Sequence, residues 1–134
     1  MYLSELNIGE KKNFLELAKF SMGLDGMHQA EEQDIYQSFV QECGLAEYEL
    51  SKQDKIESVI KVLAKSKGKS KRIVLLELYG ILLADGEVCE KESDFMVSLA
   101  EQFAIEDYES KKIQRWVAAM NDMASEGYAL IDKE

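Results

Sequence analysis

The chain has 134 residues, of which 46% are hydrophobic and 31% are charged, a length and composition that favour one globular domain over two domains or a disordered chain. Acidic residues outnumber basic ones by 26 to 16, and the formal net charge of −10 disfavours binding to nucleic acid, which requires phosphate neutralisation. No hydrophobic run approaches the roughly 20 residues that cross a bilayer, and no basic and apolar signal segment is found. We therefore expect a cytoplasmic protein without membrane insertion.

The first half of the chain contains three segments with helical periodicity. The first covers residues 10–24, and the second covers residues 29–43, where Gly44 is placed to end the helix. A third helix is predicted to be capped by Ser51 and to carry one hydrophobic stripe. The stripe consists of Ile56, Val59, Ile60 and Leu63.

The second half repeats this order of segments. Residues 71–84 are hydrophobic on almost every side, which predicts a central buried helix, and residues 89–103 form the next amphipathic segment. Ser110 is predicted to cap a further helix, and residues 126–133 are predicted to form a marginal helical tail. The stripe of the further helix consists of Ile113, Trp116, Val117 and Met120. No segment has the period of a strand, so the predicted fold class is all-α.

The two halves resemble each other when the chain is shifted by 60 positions. We expect one compact domain over residues 1–134, with internal repeat units at about 10–64 and 70–125. Chance similarity between two amphipathic helical hairpins is the alternative. The clearest matches pair Asp25-Gly26 with Asp85-Gly86 and Glu32 with Glu92.

A basic segment joins the two units. It ends in Gly68-Lys69-Ser70, which resembles the end of a phosphate-binding loop, but Leu63 stands where that motif needs its first glycine and no strand precedes it. We expect a flexible hairpin, with docking of an acidic partner or of the acidic face of a second copy as the alternative. The segment holds five of the sixteen basic residues, namely Lys65, Lys67, Lys69, Lys71 and Arg72.

Each Asp-Gly pair is followed by a glutamate seven positions after the aspartate. This is the spacing of the second half of an EF-hand loop, in which Asp, Gly and Glu surround a calcium ion. The first half of the loop is missing, because Ile81 and Leu83 stand at its ligand positions in the second unit. The hypothesis is a pair of half-sites that bind Ca²⁺ or Mg²⁺ weakly, with Asp25, Glu32, Asp85 and Glu92 as ligands.

The same residues also have a purely structural explanation. The two glycines can end their helices, and the two aspartates can accept hydrogen bonds from the main chain of the turns. With Gln29 and Cys89 as N-caps, both glutamates fall at the third helical position, where a carboxylate can bond to the N-cap amide. The sequence leaves both explanations open.

Two glutamates lie in otherwise hydrophobic sequence. Glu77 is the only charged residue in the segment 73–84, so we expect it to lie on a narrow wet stripe or to be partly buried with a partner. It is added to the candidate metal ligands. Glu16 is flanked by Lys12 and Lys19, which predicts a more exposed side chain.

Residues for zinc binding or nucleophilic catalysis are scarce. The chain has one histidine, His28, and its two cysteines, Cys43 and Cys89, are not in a CxxC motif, so neither a zinc site nor a catalytic triad can be assembled. We interpret the cysteines as small, partly buried helix residues. The expected protein is not an enzyme; acid–base chemistry by Glu77 with Asp85 is the enzymatic alternative.

The stretch Leu-Leu-Ala-Asp-Gly-Glu-Val-Cys-Glu-Lys-Glu at residues 82–92, with a looser copy at 23–32, resembles the TerB-like family of tellurite-resistance-associated proteins. The resemblance spans about residues 10–125, and it implies a compact all-α fold of about seven helices without established catalytic activity. It also implies a link to tellurite and stress-response systems, and divalent-cation binding at Asp25, Glu32, Asp85 and Glu92.

Related modules occur in DnaJ-type membrane co-chaperones, but a chain without proline has no J-domain His-Pro-Asp motif. The alternative function is a protein–protein interaction scaffold without metal, in which the Asp-Gly turns are structural caps. In either case we expect a protein partner or self-association.

Overall fold

In a computed structural model of the protein, the described residues are 1–24, 30–84 and 88–132. They form six α-helices and one 3-10 helix, without a strand, so the all-α prediction is confirmed for this part of the chain. The 3-10 helix covers Leu3–Glu5, and the α-helices are α1 (Ile8–Met22), α2 (Ala30–Cys43), α3 (Ile56–Ala64), α4 (Gly68–Leu82), α5 (Glu90–Gln102) and α6 (Asp107–Ile131).

Helix α4 is the centre of the fold, as its sequence predicts. It packs against α1, α2, α5, α6 and the 3-10 helix, and Leu75, Leu78 and Ile81 have no exposed surface. Burying a side chain of this size stabilises the fold by about 1.5–3 kcal/mol. None of the helices in the described ranges is long and hydrophobic enough to cross a bilayer.

The first two helices of each half share a few local features, and the repeat itself stays a prediction. Helices α1 and α4 both have 15 residues. A left-handed residue follows both α2 and α5, namely Gly44 with φ of 67° and Ala104 with φ of 57°. The same main-chain bond follows each of them, from Leu45 N–H to the Val40 carbonyl and from Ile105 N–H to the Ala100 carbonyl. The third helices do not keep the shift, because the connection before α3 is longer than the one before α6.

The two predicted capping serines are placed differently from our expectation. Helix α3 follows Lys55 and not Ser51. Helix α6 begins after Glu106, so that Ser110 lies inside the helix, where it is buried and its Oγ is 3.0 Å from the hydroxyl of Tyr79. The hydroxyl of Ser110 therefore makes a tertiary hydrogen bond and does not cap a helix.

Helix α6 is also longer than predicted. The segment 126–133 was predicted as a separate helical tail. In its described part, residues 126–132, it belongs to α6, which continues without interruption to Ile131. With 25 residues the helix is about 37 Å long. Its first half packs on α4 and α5, whereas no residue of 121–132 is buried.

The basic segment is a tight interhelical turn and not the flexible hairpin that we predicted. Helix α3 ends at Ala64 and α4 begins at Gly68, so the second half of the segment forms the first turn of α4. Two of its cations bind to acidic side chains, Lys69 to Glu5 at 2.6 Å and Arg72 to Glu109 at 2.9 Å.

Candidate functional site

The Asp-Gly turns lie outside the residues that the structure describes. This applies to Asp25, Gly26, Asp85 and Gly86, and also to His28. The role of Asp25 and Asp85 as cation ligands therefore stays a prediction. The other three candidate ligands, Glu32, Glu77 and Glu92, lie in described helices.

Glu92 holds the first turn of α5. Its side chain is 3% exposed, and its Oε1 accepts the main-chain N–H of Cys89 at 2.9 Å. This is the contact that the structural explanation of the motif predicts for the third helical residue. Glu32, at the equivalent position near the start of α2, is 2% exposed.

The described carboxylates do not assemble a metal site. Across residues 1–24, 30–84 and 88–132, no group of three His, Cys, Asp or Glu side chains could hold a metal ion. Glu77 is on a different helix from Glu32 and Glu92. A cation site at the turns would therefore depend on Asp25 and Asp85.

Glu77 is buried with a partner, which confirms one of the two environments that we expected. It is 4% exposed, and its Oε2 lies 2.9 Å from the amino group of Met1, which also lies 2.6 Å from Oε1 of Glu42. Burial raises the pKa of the Glu77 carboxyl, and the Met1 ammonium only partly opposes this shift. Helical periodicity in the sequence gives no signal for this pair, since the partner is the main-chain amino group of Met1.

The prediction of an exposed Glu16 is wrong. Its side chain is fully buried and accepts hydrogen bonds from the Tyr48 hydroxyl, the Ser51 and Lys52 main-chain N–H groups, and the Gln53 side-chain amide. Burial by itself raises the pKa of Glu16, but these donors outweigh burial and the net pKa is lowered.

Lys12 and Lys19, from which we predicted an exposed Glu16, do not determine the environment of its side chain. Their amino groups lie over aromatic rings, Lys12 at 5.7 Å from the centre of the Tyr48 ring and Lys19 at 5.4 Å from the centre of the Tyr36 ring. Glu16 instead faces the connection between α2 and α3, whose amides it binds.

The cysteines are free thiols, as expected for small helix residues. Cys43 is buried and Cys89 is partly exposed. Burial raises the pKa of the Cys43 thiol to about 11, so that it stays protonated and a poor nucleophile at neutral pH.

The most prominent surface feature is the hydrophobic second half of α6. Met123 is 71% exposed, Leu130 is 69% exposed and Ile131 is 73% exposed. Trp116, which we predicted on the hydrophobic stripe of this helix, is 44% exposed and lies beside Tyr2 with a ring-centre distance of 6.4 Å. Sequence reasoning missed this surface, although hydrophobic side chains continue past Met120 at helical spacing.

A hydrophobic groove lies beside the first half of the same helix. It has a volume of about 590 Å³, and Lys69 and Arg72 are its cationic lining residues. Its other walls are formed by Tyr2, Glu5, Ile73, Leu76 and Ile113. Groove and helix together form a hydrophobic surface that the described residues leave open to solvent.

A second, polar groove of about 610 Å³ lies between the start of α1 and the basic segment. It contains Lys65, Lys67 and Lys69 on one side, and Glu5 and Glu10 on the other. Because both signs of charge line it, it does not form a uniform anion site.

No family model, curated protein or solved structure matches this chain. The resemblance to TerB-like proteins therefore stays an expectation from the sequence motif, and functional inference depends on the geometry described above.

Proposed function

We propose that this protein is a non-enzymatic helical interaction module, and that the second half of α6 is its binding surface. The observation that carries the proposal is the exposure of Met123, Leu130 and Ile131 at about 70% each. Several large hydrophobic side chains exposed on one helix segment are typical of protein–protein interaction sites in soluble proteins. The groove beside Tyr2 enlarges the available surface.

The bonding of Glu16, Glu77 and Glu92 also favours binding over catalysis. Glu16 accepts hydrogen bonds from the loop between α2 and α3, and Glu77 accepts one from the Met1 amino group. One oxygen of Glu92 accepts the main-chain N–H at the start of α5. A catalytic acid or base needs access to a substrate, and Glu16, Glu77 and Glu92 are all buried.

Site-specific photo-crosslinking in cells tests this function. We expect a benzophenone amino acid at Met123 to give a discrete crosslinked species, because the side chain faces solvent in the free protein and would face a partner in the complex. The control places the same group at Val62 of α3, which is 54% exposed. Equal yields at the two positions, or no product at Met123, would contradict an α6 interaction surface.

A second candidate function is weak binding of Ca²⁺ or Mg²⁺ at the Asp-Gly turns, as the TerB-like resemblance implies. The observation that favours it is the burial of Glu32 and Glu92 at equivalent helix starts, because glutamates are rarely buried to this degree. Under this proposal the Asp-Gly turns bind a cation and α6 binds a protein.

Thermal melting tests the cation proposal. A cation at ten times its Kd is expected to stabilise the fold by about 1.4 kcal/mol, which raises the midpoint by about 4–6 °C for a domain of this size. Melts in millimolar CaCl₂ or MgCl₂ are compared with NaCl of matched ionic strength. The difference is expected to vanish in Asp25→Asn/Asp85→Asn; if wild type shows none, the turns are structural caps.

A further inference from the structure

We infer that the partner of the α6 surface is a second copy of this chain, bound through α6 in antiparallel orientation. This inference rests on the interaction function proposed above and specifies its partner.

The exposed stripe has the spacing of a helix–helix seam. It comprises Trp116, Met120, Met123, Gly127 and Leu130, of which Met120 and Gly127 are half-buried and the others exposed. The steps alternate between four and three residues, as at the a and d positions of a coiled coil. Such a stripe faces a neighbouring helix along its length, whereas the fold covers only the first half of α6. At Gly127 a Cβ would meet nothing within 4 Å, so a partner helix has room there.

The charges along α6 favour a second copy as the occupant. The first half carries Lys112 and Arg115, whereas residues 116–131 carry Asp122 and Glu126 and no cation. The other charges of the first half are already paired, Lys111 with Asp107 and Glu109 with Arg72, each at 2.9 Å. The helix therefore has a basic flank and an acidic flank, which are complementary to those of an identical helix running in the opposite direction.

The antiparallel register follows from these charges. A two-fold axis beside Ala119 places Lys112 opposite Glu126 of the second copy, since both positions are seven residues from the axis. The same register places Trp116 near Met120 of the second copy. Parallel pairing in register would instead bring the two copies of Lys112 to the same level of the interface, and likewise the two copies of Glu126.

The hydrophobic groove is continuous with this interface. It is lined by Ile113 of α6 and by Tyr2, Ile73 and Leu76 beside it. In the antiparallel dimer the second half of the partner helix runs along this side, and its acidic flank approaches the two ion pairs beside the groove, Lys69 with Glu5 and Arg72 with Glu109. A two-fold arrangement forms each of these contacts twice and closes the assembly.

Sedimentation equilibrium of the full chain tests the inference. At about 50 µM, well above the Kd of a stable homodimer, we expect twice the mass of the 15.2 kDa chain. Met123→Glu is expected to give a monomer with unchanged helical circular dichroism, because Met123 is 71% exposed. Val62→Glu, at an exposed hydrophobic position on α3, is the matched control and is expected to stay dimeric.

A charge exchange tests the orientation. Lys112→Glu is expected to raise the Kd of the dimer by at least about tenfold, because two acidic side chains then face each other. Adding Glu126→Lys is expected to restore the affinity, because each of the two contacts again joins a cation and an anion. A dimer that is insensitive to Met123→Glu, or a single charge variant that the second change does not rescue, would overturn the antiparallel α6 interface.

A monomeric wild type would overturn the second-copy inference outright. The photo-crosslinking experiment then separates the two proposals. A crosslinked species at Met123 with a mass other than that of the dimer would retain the interaction function with a different partner. A monomer without any crosslink at Met123 would contradict both.

Discussion

Replacing Glu16 with glutamine is expected to lower the free energy of unfolding by about 3–4 kcal/mol. The carboxylate is fully buried, and its two oxygens accept four hydrogen bonds, including the main-chain N–H groups of Ser51 and Lys52 at 2.9 and 3.1 Å. Glutamine carries two donors in place of one oxygen, so buried N–H groups would be left facing each other. Equilibrium unfolding in urea measures the change.

Two further variants serve as controls for this prediction. Glu47→Gln lies in the same connection but is exposed, and it is expected to change stability by less than about 0.5 kcal/mol. Tyr48→Phe removes one of the four donors and is expected to cost about 1–2 kcal/mol, which keeps the test informative if Glu16→Gln does not fold. A cost for Glu16→Gln as small as that for Glu47→Gln would contradict the bonded-carboxylate account.

The same site has a defined pH dependence. Because the folded state lowers the pKa of Glu16 below its usual value of 4.5, the ionised carboxylate contributes stability above the unfolded pKa. This contribution is lost as the pH falls through the folded pKa. The stability difference between wild type and Glu16→Gln is therefore expected to be constant near pH 7 and to shrink below about pH 4.5.

The sequence predicted helices reliably where their own hydrophobic pattern determines them. Helix α4 was expected at residues 71–84 and is central, and Gly44 ends α2 in the left-handed conformation. The start of α6 was misplaced because Ser110 has the sequence features of a cap, whereas its hydroxyl contacts Tyr79, 31 positions earlier. Such contacts have no local signal.

The same limit explains the errors at the site. Glu16 was interpreted from Lys12 and Lys19, its neighbours on the helix, although its bonding partners lie 32 to 37 positions later in the chain. Trp116 was placed correctly on a hydrophobic stripe, but periodicity shows which face is hydrophobic and not whether the fold covers it. The exposed half of α6 became visible only when the packing of the other helices was known.

Replacing Glu77 with methionine is expected to have the opposite sign and to raise the free energy of unfolding by about 1 kcal/mol. The gain is limited because the variant loses the hydrogen bond from the Tyr2 main chain, and it is still expected because the Met1 amino group, the charge that would lose Glu77, is partly exposed. Both glutamates are buried, but burial dominates at Glu77 and raises its pKa. Its surroundings include Ile35, Phe39 and Val117, against which a methionine side chain of similar volume can pack. The Met1 amino group would keep its contact with Glu42 at 2.6 Å.

The pH dependence of this variant provides an independent check. A carboxyl group with a raised folded pKa binds protons more tightly in the folded state, so the wild type gains stability as the pH falls through that pKa towards 4.5. The advantage of Glu77→Met is therefore expected to be largest near pH 7 and to decrease on acidification. Glu42→Met is the control, because Glu42 also accepts the Leu3 N–H at 2.8 Å and its loss is expected to destabilise. If Glu77→Met destabilised the fold as much as Glu42→Met does, the prediction would be wrong. Attraction to the Met1 ammonium would then outweigh the cost of burying the Glu77 charge, and Glu77 would stabilise the fold as Glu16 does.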